Sequence, residues 1–336
     1  MILNYNAGEL LEKCISSILK SNYKNFEIIL VDNASKDESH KECKNKFPKI
    51  KLIENKENFG YCEGNNIGIR SASGEFVIIL NPDTIVEKQW INLLMKAYEE
   101  NGKGLYQPKI LSLNEKNVIQ STGNYIQLFG FGYARDKGEE NSKKRKNIEK
   151  IGFASGTCLF TSKSVFNEIG LLDSFIFLYL DDLDLGWRAK QIGISSFFVP
   201  DSIVYHAESY ILKWSSKKFY WLERNRKYCI LTHFSKKTQN KMLPTLIIVE
   251  VLVFFFYLSK GFIFAKIKAD IDILKNWSLI KKRYNYLESK KRIKDSEIIK
   301  DFTDDIFVPK TIFKKSSRIV FDKIISKLSK RIRKKI

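Results

Sequence analysis

The sequence predicts an α/β fold in which a mostly parallel sheet is flanked by helices, followed by an apolar and basic helical extension. Short apolar runs alternate with helical patterns through roughly the first hundred residues, which is typical of right-handed βαβ units. The runs are apolar at nearly every position, as expected of strands that helices cover on both faces. From residue 243 the chain becomes strongly apolar, and from residue 266 it is basic.

The predicted elements of the first half follow one another in a regular order. Strands are predicted at residues 1–3, 26–31, 50–53 and 75–80, and helices at residues 9–19, 36–47, 61–70 and 86–101. Pro82 must end the fourth strand, because proline has no N–H to donate to a sheet ladder. We therefore expect Asp83 at the carboxyl edge of the sheet, where open α/β sheets bind ligands. Taken alone, this motif also fits a turn aspartate that only closes the strand.

The pattern after residue 104 is less regular. Strands are predicted at residues 105–113, 151–160 and 195–199, a short helix at 162–169 that Ser162 caps, and an amphipathic helix at 217–233. The strand at 151–160 contains Gly156, and glycine inside a strand often marks the close approach of another group.

A cluster of three carboxylates opens a further predicted helix that ends at Gln191. Asp181, Asp182 and Asp184 lie within four residues, and the unpaired N–H groups of a helix N-terminus stabilise such carboxylates. Capping is therefore one explanation, above all for Asp181. Crowded like charges also raise the pKa of at least one member, which a general base near neutral pH requires. We favour the functional explanation. His206 follows as a lone histidine that is structural unless its neighbours make it a metal ligand.

Composition narrows the classes of partner. The net charge of +20 indicates an anionic partner, which is nucleic acid, anionic lipid or a phosphorylated substrate. The five cysteines are scattered and form no C-x-x-C pair, which predicts reduced thiols in the cytosol without a zinc knuckle or disulfide framework. We expect no signal peptide. The first apolar run is short even for a strand, and we expect residues to precede it.

Two familiar nucleotide-binding motifs are excluded. Gly60, Gly64 and Gly68 follow the third predicted strand at a spacing of four, whereas a dinucleotide fingerprint needs G-x-G-x-x-G directly after the first strand. The G-x-x-x-x-G-K-[ST] phosphate loop is absent as well. A nicotinamide or flavin site and a P-loop nucleotidase are therefore not expected.

The C-terminal region predicts contact with a membrane. Residues 243–265 form an apolar stretch of about the twenty residues that a bilayer requires, interrupted by Glu250 and Lys260. A spanning helix, a helix in the plane of the interface and a buried core helix all fit, and we favour membrane contact of either kind. The tail from Lys314 to Ile336 predicts a basic amphipathic helix suited to an anionic leaflet. Nucleic acid is not expected, because the sequence has no zinc finger, helix-turn-helix or RNA-binding signature.

Seven motifs together resemble the family 2 glycosyltransferases of GT-A fold, a Rossmann-like α/β fold, and especially their rhamnosyltransferase-like branch. The resemblance covers roughly residues 1–230. The motifs occur in the family's order: Ile2-Leu3-Asn4-Tyr5-Asn6, Val31-Asp32-Asn33-Ala34-Ser35, Asn58-Phe59-Gly60 with Gly64-Asn65-Asn66-Ile67-Gly68, Leu80-Asn81-Pro82-Asp83-Thr84, Ser155-Gly156-Thr157-Cys158, Tyr179-Leu180-Asp181-Asp182-Leu183-Asp184-Leu185 with Arg188, and Tyr205-His206.

The resemblance implies a role for each site residue. Asp182 matches the general base, Asp83 resembles the carboxylate ligand of the metal, and His206 resembles a ligand on the metal side. Asp32 resembles the contact to the nucleotide base. Asp181 stands where the family usually has glutamate. The remaining residues expected to bind nucleotide or substrate, together with Asp32 and Asp181, are Asn4, Asn6, Asn33, Gly60, Asn65, Asn81, Gly156 and Arg188.

The resemblance also implies the reaction. It predicts transfer of a sugar with inversion from a nucleotide-sugar donor (dTDP-rhamnose-like or a UDP-sugar) to a hydroxyl of a polysaccharide or glycolipid, with Mg²⁺ or Mn²⁺. We expect a GT-A domain at residues 1–235, with a nucleotide-binding half at 1–104 and an acceptor half at 105–235. Residues 236–336 would be a membrane-associated extension at the cytoplasmic face of the cell membrane. A nucleotidyltransferase and a catalytically inactive nucleotide-sugar or membrane-binding module are the alternatives.

Overall fold

The computed structural model describes residues 1–141, 145–208, 215–306 and 315–336, and for residues 315–320 only the backbone. Two compact units make up the chain. The first comprises residues 1–124, 134–189 and 194–210, and the second comprises residues 125–133, 190–193 and 211–336. The domain boundary that the sequence predicts at residue 235 stays a prediction.

The strands and helices alternate as predicted. The strands are β1 (Ile2–Asn4), β2 (Ile29–Asp32), β3 (Lys51–Glu54), β4 (Phe76–Leu80), β5 (Thr84–Val86), β6 (Gly104–Ser112), β7 (Ile119–Ser121), β8 (Asn124–Ile126), β9 (Gly132–Ala134), β10 (Glu149–Ile151), β11 (Cys158–Ser162) and β12 (Ser195–His206). The helices are α1 (Glu9–Leu19), α2 (Ser39–Lys46), α3 (Gly60–Ser71), α4 (Trp90–Asn101), α5 (Lys163–Ile169), α6 (Asp181–Gln191), α7 (Ser216–His233), α8 (Lys236–Ser259), α9 (Ile263–Lys275), α10 (Trp277–Lys290), α11 (Asp295–Ile298) and α12 (Lys315–Arg333).

The first unit is organised around one mixed sheet with the strand order β10-β12-β6-β11-β4-β1-β2-β3. Strands β4, β1, β2 and β3 are parallel neighbours, as the βαβ pattern predicted. Strand β11 enters antiparallel to both β4 and β6. The carboxyl ends of β1, β2 and β4 and the beginning of β11 therefore lie at the same edge of the sheet.

Burial of apolar side chains in a shared core stabilises these strands. Ile2 of β1, Leu30 of β2 and Leu80 of β4 are buried in one cluster with the apolar face of α1, which includes Leu11 and Ile15. Each such side chain contributes about 1.5–3 kcal/mol when it is fully buried. Packing of this kind fixes the strand register, because a shift by one residue would turn every core side chain to the opposite face of the sheet.

Three predicted elements differ from the observed ones. The strand expected at 151–160 is two strands, β10 and β11, separated by an irregular segment that contains Gly156. The helix expected from residue 86 begins at Trp90, because Thr84–Val86 instead form β5 and pair with β12. Residues 84 to 86 are β-branched, which favours a strand. The strand expected at 195–199 continues to His206, with an irregularity between Val199 and Ile203.

The second unit is mainly helical. The apolar stretch 243–265 is divided between α8 and α9, with a turn that includes Gly261 at a φ of 74°. Within the described residues, α8 alone is long and apolar enough to cross a membrane, judged by length and composition. Helix α12 carries the basic tail, although Lys314 and the side chains of Ile319 and Val320 lie outside the described residues. All five cysteines are buried thiols.

Candidate active site

The polar strand ends predicted from the sequence meet at one edge of the sheet. Asn4 at the end of β1 lies opposite Asp32 at the end of β2. On the other side of β1, Ile2 lies opposite Leu80, the last residue of β4. The segment Asn81-Pro82-Asp83 follows directly. The fold therefore assembles residues that are far apart in the sequence into one candidate site.

The end formed by β1 and β2 holds Asp32 in a fixed position. The Asn4 side-chain Nδ2 donates to Asp32 Oδ1 at 2.8 Å, and the Ser35 N–H donates to Asp32 Oδ2 at 2.9 Å. Both Asn4 and Asp32 are buried. Beside them, Asn33 Nδ2 donates to the Gly60 carbonyl at 2.9 Å. These bonds organise the segment where the sequence predicts contact with the nucleotide base.

Three further predicted ligand-binding residues have local roles in the structure. Asn6 has a φ of 55°, and its Oδ1 accepts the Lys36 N–H at 2.7 Å. Gly60 has a φ of 78°, and a Cβ there would lie 2.4 Å from the Phe177 ring, so the position requires glycine. Asn65 is buried in α3 and donates to the Tyr61 carbonyl at 2.8 Å. Their contacts with a ligand remain predictions.

Asp83 and His206 are brought together by the pairing of two strands. Strand β5 runs antiparallel to β12 and places Thr84 opposite His206. The backbone continues this pairing, because the Ala207 N–H donates to the Asp83 carbonyl at 2.9 Å. As a result, His206 Nε2 lies 3.3 Å from Asp83 Oδ1. A carboxylate and an imidazole at this separation form a donor set that suits a divalent cation.

Gln120 on β7 fixes the orientation of His206, a role that no motif in the sequence predicts. Gln120 Oε1 lies 2.7 Å from His206 Nδ1, and Gln120 Nε2 donates to the His206 backbone carbonyl at 2.9 Å. The two bonds together favour the tautomer in which Nδ1 carries the proton, assigned here from the hydrogen-bond network. Nε2 then directs its lone pair towards the side of Asp83, as a metal ligand requires.

Asp182 lies at the N-terminus of α6 and is held through the backbone of Gly156. The Gly156 N–H donates to Asp182 Oδ2 at 3.1 Å, and the Leu183 N–H donates to Asp182 Oδ1 at 2.9 Å. Tyr61 on α3 was missed by sequence reasoning. Its hydroxyl donates to the carbonyl of the same Gly156 at 2.5 Å. Gly156 therefore connects Tyr61 with Asp182, and a Cβ on Gly156 would lie only 2.8 Å from the Tyr61 hydroxyl.

Three side chains around Gly156 have raised pKa values. Burial raises the pKa of Asp182, although the N–H groups of Gly156 and Leu183 oppose the shift. Burial and then the charge of Asp182 raise the pKa of Asp181 well above its ordinary value. Burial and the charges of Asp181 and Asp182 also raise the pKa of Tyr61. A carboxylate with a raised pKa is a better proton acceptor than an ordinary exposed aspartate.

Arg188 is bonded to protein groups in the structure, and its contact with a ligand stays a prediction. Its Nε donates to Asp184 Oδ2 at 2.8 Å, and its two terminal nitrogens donate to the carbonyls of Ile169 at 2.6 Å and Leu171 at 2.9 Å. Arg188 and Asp184 are both buried. The Arg188–Asp184 ion pair therefore holds α6 in place. Asp184 differs from Asp181 and Asp182 because its carboxylate is engaged in this ion pair.

The segment before α6 has an unusual backbone. Phe177, Tyr179 and Leu180 have φ values of 65°, 66° and 61°, in the left-handed region that costs a non-glycine residue roughly 1–3 kcal/mol. The Phe177 carbonyl accepts the Tyr61 N–H at 2.7 Å, which ties this segment to the start of α3. The strained segment delivers Asp181 and Asp182 to the first turn of α6.

The two parts of the site are neighbours across one strand pair. Asn81, two residues before Asp83, donates its N–H to the Thr157 carbonyl at 3.0 Å. Thr157 follows Gly156, whose N–H holds Asp182.

Residues 1–170 of this chain match the model of the family described as glycosyl transferase family 2. The chain belongs to glycosyl transferase family 2. The predicted family and enzyme class are therefore confirmed: it is a glycosyltransferase that moves a sugar from a nucleotide-sugar donor.

Two relatives of this glycosyltransferase are named as sugar transferases. The low-salt glycan biosynthesis hexosyltransferase Agl10 of Haloferax volcanii is 30% identical over 255 residues, covering 73% of this chain and 79% of that protein. The N-acetylglucosaminyl-diphospho-decaprenol L-rhamnosyltransferase of Mycobacterium tuberculosis is 24% identical over 234 residues, covering 62% of this chain and 75% of that protein.

The predicted GT-A fold of this glycosyltransferase is also confirmed. A crystal structure of GalNAc-T7 with UDP, GalNAc and Mn²⁺ superposes with a TM-score of 0.58 at 18% sequence identity. The match covers 70% of this chain and 47% of that chain, so the glycosyltransferase spans about half the length of the solved structure. At this identity the likeness concerns the fold alone.

Proposed function

We propose that this glycosyltransferase inverts the anomeric carbon as it transfers a hexose-type sugar to a hydroxyl of a polysaccharide or glycolipid. Asp182 acts as general base, and Asp83 and His206 hold a divalent cation. One observation carries the proposal: the Asn81–Thr157 bond at 3.0 Å makes the Asp83–His206 pair a neighbour of the segment that holds Asp182. Family membership favours sugar transfer over a nucleotidyltransferase or an inactive module.

The nucleotide of the donor binds at the end formed by β1 and β2, where Asp32 is fixed by Asn4 and Ser35. The name of the mycobacterial relative, an L-rhamnosyltransferase acting on a diphospho-decaprenol carrier, supports a dTDP-rhamnose-like donor over the alternative of a UDP-sugar. The same name supports a lipid-linked acceptor. A thermal-shift screen of nucleotide sugars identifies the donor, because a ligand that binds the native state raises its stability.

Asp83 and His206 fit a divalent cation by the chemistry of their donor atoms. When bound, the cation neutralises the negative charge that develops on the nucleoside diphosphate leaving group. Carboxylate oxygens suit both Mg²⁺ and Mn²⁺, whereas an imidazole ligand is better suited to transition metals. We therefore expect this pair to prefer Mn²⁺ to Mg²⁺. The residues of the chain orient the donor, and Gln120 keeps His206 in the orientation that a ligand needs.

Asp182 removes the proton of the acceptor hydroxyl as that oxygen forms a bond to the anomeric carbon. The bond from the anomeric carbon to the diphosphate oxygen breaks in the same step, so a single displacement inverts the configuration. The proton ends on Asp182, whose Oδ2 the Gly156 N–H already holds. A positioned base of this kind contributes about 10²–10⁴-fold to the rate.

Replacement of Gln120 by leucine is expected to weaken Mn²⁺ binding by about 10–100-fold, the usual effect of losing the partner of a histidine ligand. Titration calorimetry of Mn²⁺ into the protein with UDP or dTDP measures the effect without any transfer. Gln120→Glu is the matched control, because a carboxylate still accepts the Nδ1 proton and should keep Mn²⁺ affinity close to that of the wild type. Equal affinity in wild type and Gln120→Leu would contradict the role of Gln120.

Replacement of Tyr61 by phenylalanine is expected to lower kcat by about five-fold, the equivalent of ~1 kcal/mol for one hydrogen bond. Without the Tyr61 hydroxyl, the Gly156 carbonyl loses its bond to α3. The Gly156 N–H is then held less firmly and stabilises the Asp182 carboxylate less. The pKa of Asp182 then rises further, so the acidic limb of the pH–rate profile moves to higher pH. Tyr98→Phe removes a comparable bond, from Tyr98 to Ser162 Oγ at 3.0 Å, and should leave the profile unchanged. A profile that Tyr61→Phe does not move argues against this connection.

We also propose that the enzyme works at the cytoplasmic face of the cell membrane. The apolar helix α8 and a relative named for a polyprenyl-linked substrate support this location. A membrane location would bring the enzyme to a lipid-linked acceptor.

A further inference from the structure

Helix α8 has apolar side chains on two opposite faces, and only one of them is buried. Met242, Val249, Val253 and Tyr257 face the interior of the second unit. The opposite stripe of α8 is exposed to solvent and consists of Leu243, Ile247, Ile248, Val251, Phe254, Phe255 and Leu258. A helix that is apolar all round is normally buried on every side, in a protein core or in a membrane.

Helix α9 presents a second exposed apolar stripe. Phe264, Ile267, Ile271 and Leu274 recur at intervals of three and four residues, which places them on one face of the helix. Phe264 is 80% exposed and Leu274 is 72% exposed. Only residues 260–262 separate α8 from α9, and the two helices contact each other. We call the exposed apolar residues of both helices the α8–α9 face. Soluble monomers rarely leave so many large apolar side chains exposed together.

The one acidic residue within the apolar part of α8 is bound by cations from two other helices. Glu250 lies 2.5 Å from Arg226 and 2.7 Å from Lys227, both on α7. It also lies 2.8 Å from Lys266 on α9. Although burial alone would raise the pKa of Glu250, these three cations lower it.

Two more acids complete the cluster. Glu223 accepts both a bond from Arg226 Nε at 2.9 Å and one from its Nη2 at 2.8 Å, and Asp270 lies 3.0 Å from Lys266. Arg226 and Lys266 are only 2% and 3% exposed. Glu223, Glu250 and Asp270 lie close enough together to hold a metal ion. Because three cations already neutralise them, we assign the group as an ion cluster that joins α7, α8 and α9.

This cluster is incompatible with α8 as a spanning helix. Glu250 lies in the apolar half of α8, so insertion across a bilayer would take it into the hydrocarbon. Glu250 would then either separate from its three cations, or α7, which carries two of them, would have to enter the bilayer as well. A charged residue at the centre of a bilayer costs at least about 2.5 kcal/mol. With the cluster intact, α8 and α9 can only meet lipid along their exposed sides.

We propose that the α8–α9 face lies in the plane of an anionic membrane leaflet without crossing it. The inference refines the membrane location proposed above and rests on it. Lys268 and Lys275 are exposed on α9 directly beside its apolar stripe, and Lys281 and Lys282 are exposed near the start of α10. An apolar face with a rim of lysines matches acyl chains below anionic headgroups. The same rim disfavours a second copy of the chain, because an isologous contact would bring like charges together.

Flotation of the full chain with vesicles tests the surface. Binding to phosphatidylcholine vesicles that contain phosphatidylglycerol should fall at least ~10-fold in the variant Phe255→Ser with Phe264→Ser, since each phenylalanine loses its burial in lipid. Leu19→Ser removes an exposed apolar side chain of α1 and serves as the matched control with unchanged flotation. Lys268→Gln and Lys275→Gln should each weaken binding about five-fold, the equivalent of ~1 kcal/mol per lysine. This effect should be confined to the anionic vesicles. Unchanged flotation of the serine variant would overturn the proposal.

A labelling experiment separates an in-plane helix from a spanning one. The native cysteines are all buried, so a thiol reagent that cannot cross membranes gives a low background. Lys241→Cys and Ser259→Cys place exposed thiols near the two ends of α8. Both should be labelled on intact vesicles to which the protein has bound. Protection of one end until detergent is added would show a spanning helix and overturn the proposal.

Two controls keep this proposal separate from the enzymatic one. Donor hydrolysis without vesicles should be the same in the surface variants as in the wild type, because none of these residues lies in the candidate active site. Loss of hydrolysis in Asp182→Asn with normal flotation leaves the surface proposal intact.

Gel filtration with light scattering tests whether a second copy of the chain covers the α8–α9 face instead. If the wild type were a dimer, and if Phe255→Ser with Phe264→Ser made it monomeric with flotation unchanged, the face would be assigned to a second copy.

Discussion

Asp182→Asn is expected to lower sugar transfer by at least ~10²-fold while nucleotide binding is retained. Asparagine has nearly the same shape and can keep the hydrogen bond from the Gly156 N–H through its Oδ1, but it cannot accept the proton of an acceptor hydroxyl. Nucleotide release from the donor that the thermal-shift screen identifies measures the reaction. Titration calorimetry with the corresponding nucleotide and Mn²⁺ measures binding.

Two neighbouring carboxylates provide controls for Asp182. Asp181→Asn makes the same chemical change one residue away and should retain measurable transfer. Asp184→Asn breaks the buried pair with Arg188, which typically destabilises a protein by about 3–5 kcal/mol, so its main effect should be a lower melting temperature. If Asp181→Asn were inactive and Asp182→Asn active, the base would be Asp181. Full activity in Asp182→Asn would exclude Asp182.

The same assignment predicts how the wild-type rate depends on pH. The base works only as a carboxylate, and burial raises the pKa of Asp182 above its ordinary value. The rate should therefore increase with pH through that raised pKa and decrease as the group becomes protonated at lower pH. Because Asp181 and Asp182 are neighbours with raised pKa values, the acidic limb reports on the pair.

Asp83→Ala is expected to abolish metal-dependent nucleotide binding. The substitution removes the carboxylate that lies beside His206, and with it the charge that holds a cation against a diphosphate. Titration calorimetry of UDP or dTDP with Mn²⁺, and again with EDTA, separates the metal-dependent part of the affinity. The variant should bind with Mn²⁺ only as weakly as the wild type binds with EDTA.

A matched control for Asp83 lies on the strand that carries His206. Asp201 is an exposed carboxylate of β12, and Asp201→Ala should keep the full response to Mn²⁺. His206→Ala should weaken that response less than Asp83→Ala, because an imidazole contributes no negative charge. Nucleotide affinity that is the same with Mn²⁺ and with EDTA in the wild type would remove the metal role from both residues.

Those residues of the candidate site that directly follow a strand or open a helix could be predicted from the local sequence pattern. Asn4, Asp32 and Asp83 each follow an apolar run, and parallel strands necessarily bring such ends to one edge. Asp182 could be recognised from the crowding of acids at a helix start and from its family motif. The family motif predicts contact of Arg188 with a ligand, and its spacing of four from Asp184 also predicts the ion pair that the structure shows.

Gln120 and Tyr61 could not be found from the sequence. Gln120 is 86 residues from His206, and Tyr61 is 95 residues from Gly156. Gln120 acts through two hydrogen bonds to His206 and Tyr61 through one to Gly156. Neither residue leaves a periodic signal in the sequence. The partners of Glu250 were hidden for the same reason. The sequence showed an interruption of the apolar stretch, whereas the structure shows which cations surround it.

The ion cluster of the second unit also has a consequence for folding. No pair of helices can satisfy it, because Glu250 on α8 needs cations from both α7 and α9, and Lys266 needs acids from all three. A partly assembled intermediate would bury unmatched charge, which is strongly unfavourable. The three helices should therefore gain and lose their structure together as one cooperative segment. Amide protons in their interiors should exchange with solvent through a shared opening event.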